Sequence, residues 1–119
     1  MAKKEPVTIY HNPRCSKSRQ VLELLRQRGV EPSVVEYLDE PFDERQLKAL
    51  LEKLAMRPID LIRKKEKQFA TLGLARNQGD DAALIAAMTK HPILIERPIV
   101  VKGAKAVVGR PPDRALEIL

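Results

Sequence analysis

The sequence predicts a single α/β domain, residues 1–119, with the element order βαβ, a helical block, then ββα. Three observations carry that expectation. A strand, a helix and a second strand follow one another within roughly 30 residues, the length of a βαβ unit. Leucines recur at helical spacing through the middle of the chain. Two short β-branched runs, separated by a glycine, come near its end.

Val7-Thr8-Ile9-Tyr10 has the composition of a short buried strand. His11-Asn12-Pro13-Arg14 must turn, because proline and the residue before it resist helix. A helix is expected from about Ser16 to Arg28, with Val21, Leu22, Leu24 and Leu25 inward and Gly29 as its stop. Ser33–Leu38 is the second strand, parallel to the first because a helix crosses between them. In the middle, Asp43 with Gln46 forms a capping-box pattern ahead of Leu47, Leu50, Leu51 and Leu54. Pro58 opens a further helical stretch to about Leu72, and Asp80 caps another bearing Leu84, Ile85 and Met88. After Pro92 the chain turns strand-like through Ile93-Leu94-Ile95 and then Pro98-Ile99-Val100-Val101. Gly103 sets a hairpin to Ala106-Val107-Val108, Arg110-Pro111-Pro112 ends it, and Asp113 to Leu119 is a terminal helix.

Composition excludes several classes of protein. With 44% apolar and 32% charged residues the chain is an ordinary globular sequence rather than a disordered one. It can bury about two-thirds of its unfolded surface without a disulfide or metal. No apolar run approaches the ~18 residues of a membrane span. MAKKEPVTIY has no apolar stretch of the kind a secretory leader carries. One cysteine rules out an intrachain disulfide, and with two histidines it rules out a four-ligand Cys/His zinc site. A cytoplasmic location is the expectation, since a lone thiol stays reduced there. The net charge of +6 favours anionic partners. Nucleic acid is disfavoured, because aromatics for base stacking make up only 3% and the cluster Arg63-Lys64-Lys65 is cut short by Glu66.

The chemistry centres on Cys15, just past a strand and at the mouth of a helix. Unpaired N–H groups at a helix start stabilise a thiolate and any anion beside it. Arg14, Lys17 and Arg19 add positive charge, and the polar neighbours argue for a reactive, partly exposed thiol rather than a buried hydrophobe. Position 18 is serine where dithiol motifs carry their second cysteine, so any disulfide on Cys15 is with another molecule. Ser18 either donates a hydrogen bond to the thiolate or is an ordinary first-turn residue. His11 either tunes the thiolate or acts as a base, or simply bonds within the turn; His91 reads as a helix-ending residue. A phosphatase loop is excluded, because the arginine it requires would fall on Val21. Arg63, Arg97 and Arg110 each end or follow an apolar segment, the last two directly before prolines. Guanidinium forks suit tetrahedral oxyanions, but spacing alone leaves open whether each arginine is a ligand or a surface residue.

Four segments in order carry a resemblance over Val7 to Leu119. They are His11-Asn12-Pro13-Arg14-Cys15-Ser16-Lys17-Ser18-Arg19, Leu61-Ile62-Arg63, His91-Pro92-Ile93-Leu94-Ile95-Glu96-Arg97-Pro98-Ile99 and Gly109-Arg110-Pro111-Pro112. Together they resemble the glutaredoxin-coupled arsenate reductase family. The resemblance implies a thioredoxin-like fold, with a mixed four-stranded sheet and a helical insertion, and a cis-proline at Pro98 opposite the cysteine. It implies that Cys15 attacks arsenate as a thiolate and that His11 supports it. Arg63, Arg97 and Arg110, with Ser18, would hold the oxyanion. Glutathione as co-substrate would attack the adduct, glutaredoxin would reduce the mixed disulfide, and neither a metal nor a bound cofactor would be needed. The sequence departs from the Cys-Gly-Thr-Ser-Arg of familiar arsenate reductases at Ser16 and Lys17, where a side chain replaces glycine's close backbone approach. Alternatives are a monothiol reductase of another oxidised substrate, or a binding module like the Spx-type regulators that share the fold and bind RNA polymerase.

Overall fold

The computed structural model describes residues 5–119; the Met1–Lys4 part of the leader reading lies outside them. The βαβ unit is present as expected. β1 (Val7–Tyr10) and β2 (Ser33–Val35) pair in parallel, and α1 (Ser16–Gln27) crosses between them. β3 (Ile99–Lys102) and β4 (Lys105–Val108) form the hairpin, and β3 lies antiparallel to β1. The result is a mixed four-stranded sheet of order β2-β1-β3-β4. The described residues fall into two compact units, residues 5–40 with Arg97–Leu119, and Pro41–Glu96.

In the first unit, register decides what gathers at one end of the sheet. Tyr10 pairs with Val35 and with Ile99, and Ile99 pairs with Val108. The turn after β1, the Arg97-Pro98 entry to β3 and the Gly109-Arg110 exit from β4 therefore leave from the same edge. Below them lies a core of Val7, Ile9, Val21, Leu25, Val100, Val107 and Ala115. Val21 and Leu25, four apart, are the apolar residues of α1 that reach full burial. The helix stops at Gly29, whose φ of 75° lets the Val30 N–H turn back to the Leu25 carbonyl.

Two expectations in this unit are corrected. β2 ends at Val35 rather than Leu38, because the Asp39 and Glu40 N–H groups both fold back onto the Glu36 carbonyl. Tyr37 is buried within that turn instead of alternating along a strand. The terminal segment Pro112–Ile118 is a 3-10 helix rather than an α-helix. Two successive prolines supply no N–H there, and the bonds that form span three residues, as from Arg114 to Pro111 and from Leu119 to Leu116.

The second unit is the helical insertion. α2 (Glu44–Leu54) starts on the expected capping box, with the Gln46 N–H donating to Asp43 Oδ1 at 2.7 Å and the Asp43 N–H donating to Gln46 Oε1 at 3.0 Å. Its buried Leu47, Leu50 and Leu51 face α5 (Asp81–Lys90), which buries Leu84, Ile85 and Met88. The helix expected from Pro58 to Leu72 is broken into α3 (Pro58–Leu61) and α4 (Lys67–Thr71). Buried Ile62 is extended between them and bridges Ile95, while the Arg63 N–H donates to the Leu94 carbonyl and the Glu96 N–H to the Leu61 carbonyl. Those backbone bonds to the far end of the insertion replace the helical ones that a continuous α-helix would make. Pro92–Leu94 forms a 3-10 turn in place of the expected strand character.

Candidate active site

The turn between β1 and α1 is wired by its own side chains. The His11 N–H donates to the Val35 carbonyl at 2.8 Å, the last link to β2 before the chain leaves the sheet. Buried Asn12 then closes the turn twice. Its Oδ1 accepts from the Arg14 N–H and its carbonyl from the Cys15 N–H, each at 3.0 Å. Arg19 reaches back from α1 to the Pro13 carbonyl at 2.8 Å. Cys15 is the N-cap of α1, with extended backbone, and its carbonyl accepts the first helical bond from the Arg19 N–H. Its side chain makes no cap bond, so the sulfur is left to its surroundings at the positive end of the helix. The thiol is free but only 9% exposed, against the more open position that its polar neighbours suggest. The polar side chains of Arg14, Ser16 and Lys17 point out to solvent while the cap position itself packs inward.

Behind the turn sits a buried polar pair. Ser18 Oγ and His11 Nδ1 share a hydrogen bond of 2.6 Å, and the same oxygen accepts from the Asn12 N–H at 3.0 Å. Ser18 is fully buried, and its hydroxyl is engaged with His11 and Asn12. That contact holds the imidazole against the first turn of α1. Burial pushes the His11 pKa below its ordinary 6.5, with Arg19 and Arg26 acting in the same direction and Glu36 opposing them.

The arginines divide. Arg110 bridges the two neighbouring loops: its Nε donates to the Arg97 carbonyl at 2.9 Å and its Nη2 lies 3.9 Å from Cys15 Sγ. Arg97 carries two buried guanidinium nitrogens, Nε and Nη1, with no hydrogen-bond partner among the described residues. A buried guanidinium donor is satisfied by a water, a neutral acceptor or an anion. Arg63 lies in the second unit, where its Nη1 pairs with Glu66 and its Nε with Glu96 at 2.9 Å. The Arg97–Pro98 peptide is cis, and so is Arg110–Pro111. No group of three or more His, Cys, Asp and Glu side chains among the described residues is placed to hold a metal ion.

Sequence reasoning passed over two residues here. Asn12 signals its role by standing before Pro13, as an Asx turn does. Gly109 sits against both α1 and Pro98, and no local pattern announces that.

A mixed sheet with a cysteine capping the helix that follows its first strand defines a thioredoxin-like fold. The chain belongs to the ArsC family, whose model matches residues 10–118. It is 52% identical over 114 residues to Escherichia coli K12 "Uncharacterized protein YfgD", covering 95% of this chain and 96% of that one. It is 41% identical over 114 residues to an arsenate reductase of Haemophilus influenzae, covering 95% and 98%. Among solved structures, an arsenate reductase from Vibrio cholerae superposes with a TM-score of 0.94 at 46% identity, covering 98% of this chain and 100% of that one. Among the described residues no helix is long and apolar enough to cross a membrane.

Proposed function

We propose that the protein reduces arsenate to arsenite with glutathione and glutaredoxin as electron donors, through a covalent adduct on Cys15. The observation that carries this reading is the placement of Arg110 at 3.9 Å from Cys15 Sγ, joined through its Nε to Arg97, whose own guanidinium has unpartnered donors. A nucleophile with a guanidinium fork beside it, and a second arginine on the adjoining loop, suits a tetrahedral oxyanion.

Arsenate would be held by the Arg97 and Arg110 guanidinium groups and the N–H groups at the start of α1. The Cys15 thiolate attacks arsenic, an S–As bond forms, and one arsenate oxygen leaves as water after protonation. The thiolate of glutathione then attacks Cys15 Sγ. The S–As electron pair returns to arsenic, which passes from As(V) to As(III), and arsenite leaves as a Cys15–glutathione disulfide forms. Glutaredoxin reduces that disulfide by thiol exchange. No metal or bound cofactor takes part in this sequence. His11 serves beside the nucleophile in neutral form, held by Ser18, so it adds no proton that competes for the oxyanion near pH 7. Arg63, in the second unit, is paired with Glu66 and Glu96. A reducing cytosol suits every thiol in the cycle.

The test is arsenite release from arsenate with glutathione and glutaredoxin, run beside Cys15→Ser. Turnover by the wild type that disappears in the variant, and on omission of glutathione, is the expected result. Equal arsenite from Cys15→Ser would overturn the reading.

A further inference from the structure

We infer that Gly109 is a positioning residue for the active-site cation: its missing side chain sets where Arg110 starts, and through Arg110 the charge beside Cys15. The inference rests on the reactive Cys15 of the proposed function. It does not depend on which oxyanion is the substrate.

Gly109 is buried at the exit of β4, and its φ lies outside the left-handed region, so backbone conformation does not require glycine here. Space does. A Cβ built on Gly109 would stand 2.8 Å from Val21 Cγ2 and 3.1 Å from Pro98 Cγ. Neither neighbour can move aside easily. Val21 is fully buried in α1, and a β-branched side chain on a helix has one strongly preferred rotamer. Pro98 is a closed ring whose carbonyl accepts the Gly109 N–H at 2.8 Å. The next N–H, that of Arg110, folds back to the Val108 carbonyl at 2.9 Å, so the chain makes a three-residue turn centred on Gly109.

Out of that turn the Arg110 side chain spans to the Arg97 carbonyl and to Cys15 Sγ. At 3.9 Å the contact with sulfur has little slack. Any side chain at 109 must push the turn away from α1 and Pro98 by several tenths of an ångström. The push falls on the residue directly before Arg110. Gly109 thereby couples close packing of the sheet's last turn to the electrostatics of the thiol, without touching substrate.

The test reads the local charge at Cys15, using alkylation rates with anionic iodoacetate and neutral iodoacetamide on folded protein. A cation beside the sulfur raises the iodoacetate-to-iodoacetamide rate ratio, and since unfolding would lower it too, the ratio is read only on variants whose far-UV circular dichroism matches the wild type. Gly109→Ala is expected to lower the ratio severalfold, toward the value of Arg110→Ala, and to lower it no further when made in Arg110→Ala. Val21→Ala, which removes the methyl groups that the new Cβ would strike, is expected to restore the ratio in the Gly109→Ala/Val21→Ala double variant. That variant also stands in if Gly109→Ala alone does not fold. An unchanged ratio in Gly109→Ala, a further fall in the Arg110→Ala background, or no recovery in the folded double variant would overturn the inference. A wild type that fails to reduce arsenate, yet shows this pattern, would instead overturn the proposed substrate alone.

Discussion

At the scale of single residues, the site is a set of polar groups buried only where they have partners, with one exception. Ser18 and Asn12 are buried and hydrogen-bonded, whereas two buried guanidinium nitrogens of Arg97 have no partner among the described residues. His11 shows what burial does to titration. Its folded pKa lies below 6.5, so at mildly acidic pH the unfolded chain binds a proton that the folded one does not. Stability therefore falls as pH drops through about 6.5, and keeps falling until the folded imidazole is itself protonated. Above that window the contribution is fully present. Urea midpoints at pH 7 and pH 5 check this: the wild type is expected to lose more stability on acidification than His11→Gln, which has no proton to take up. An equal loss in both proteins would remove His11 from the pH dependence.

At the scale of elements, the sequence signals that held are those in which one local cause decides. The Asp43–Gln46 capping box is such a case: two reciprocal bonds satisfy N–H groups that the start of a helix leaves open. Asp43→Ala removes one of them and is expected to cost roughly 0.5–2 kcal/mol, read as a lower urea midpoint with an unchanged slope. The leucines of α2 and the Gly29 stop were legible for the same reason. What could not be read was decided by distant chain. The apolar run Leu61-Ile62 fits a helix by composition, yet Ile62 is extended because Ile95, thirty-three positions on, pairs with it. By sequence Ser18 is either a first-turn residue or a thiolate donor, and only the fold brings its hydroxyl onto His11. The approach of Arg110 to Cys15, and the start of β3 after Arg97-Pro98 at the same end of the sheet, depend on strand register, which pairs Tyr10 with Ile99 and Ile99 with Val108. No spacing along the chain contains that information.

At the scale of the molecule, charge and topology point the same way. The net charge of +6 favours anionic partners, and the fold gathers three loops at one end of the sheet, with a thiol among them. The helical insertion carries its own core between α2 and α5, so the first unit's sheet is left to organise the thiol. The central claim is that an oxyanion binds directly over Cys15, on Arg97 and Arg110. Alkylation of Cys15 by iodoacetamide, followed against rising arsenate or sulfate at constant ionic strength, measures that binding without turnover or electron donors. Saturable protection is expected. In Arg97→Lys the half-protecting concentration should rise by about 10- to 100-fold, since a charge-assisted hydrogen bond contributes roughly 1.5–3 kcal/mol and lysine keeps the charge but not the fork. An alkylation rate indifferent to either oxyanion, or the same half-protecting concentration in both proteins, would contradict it.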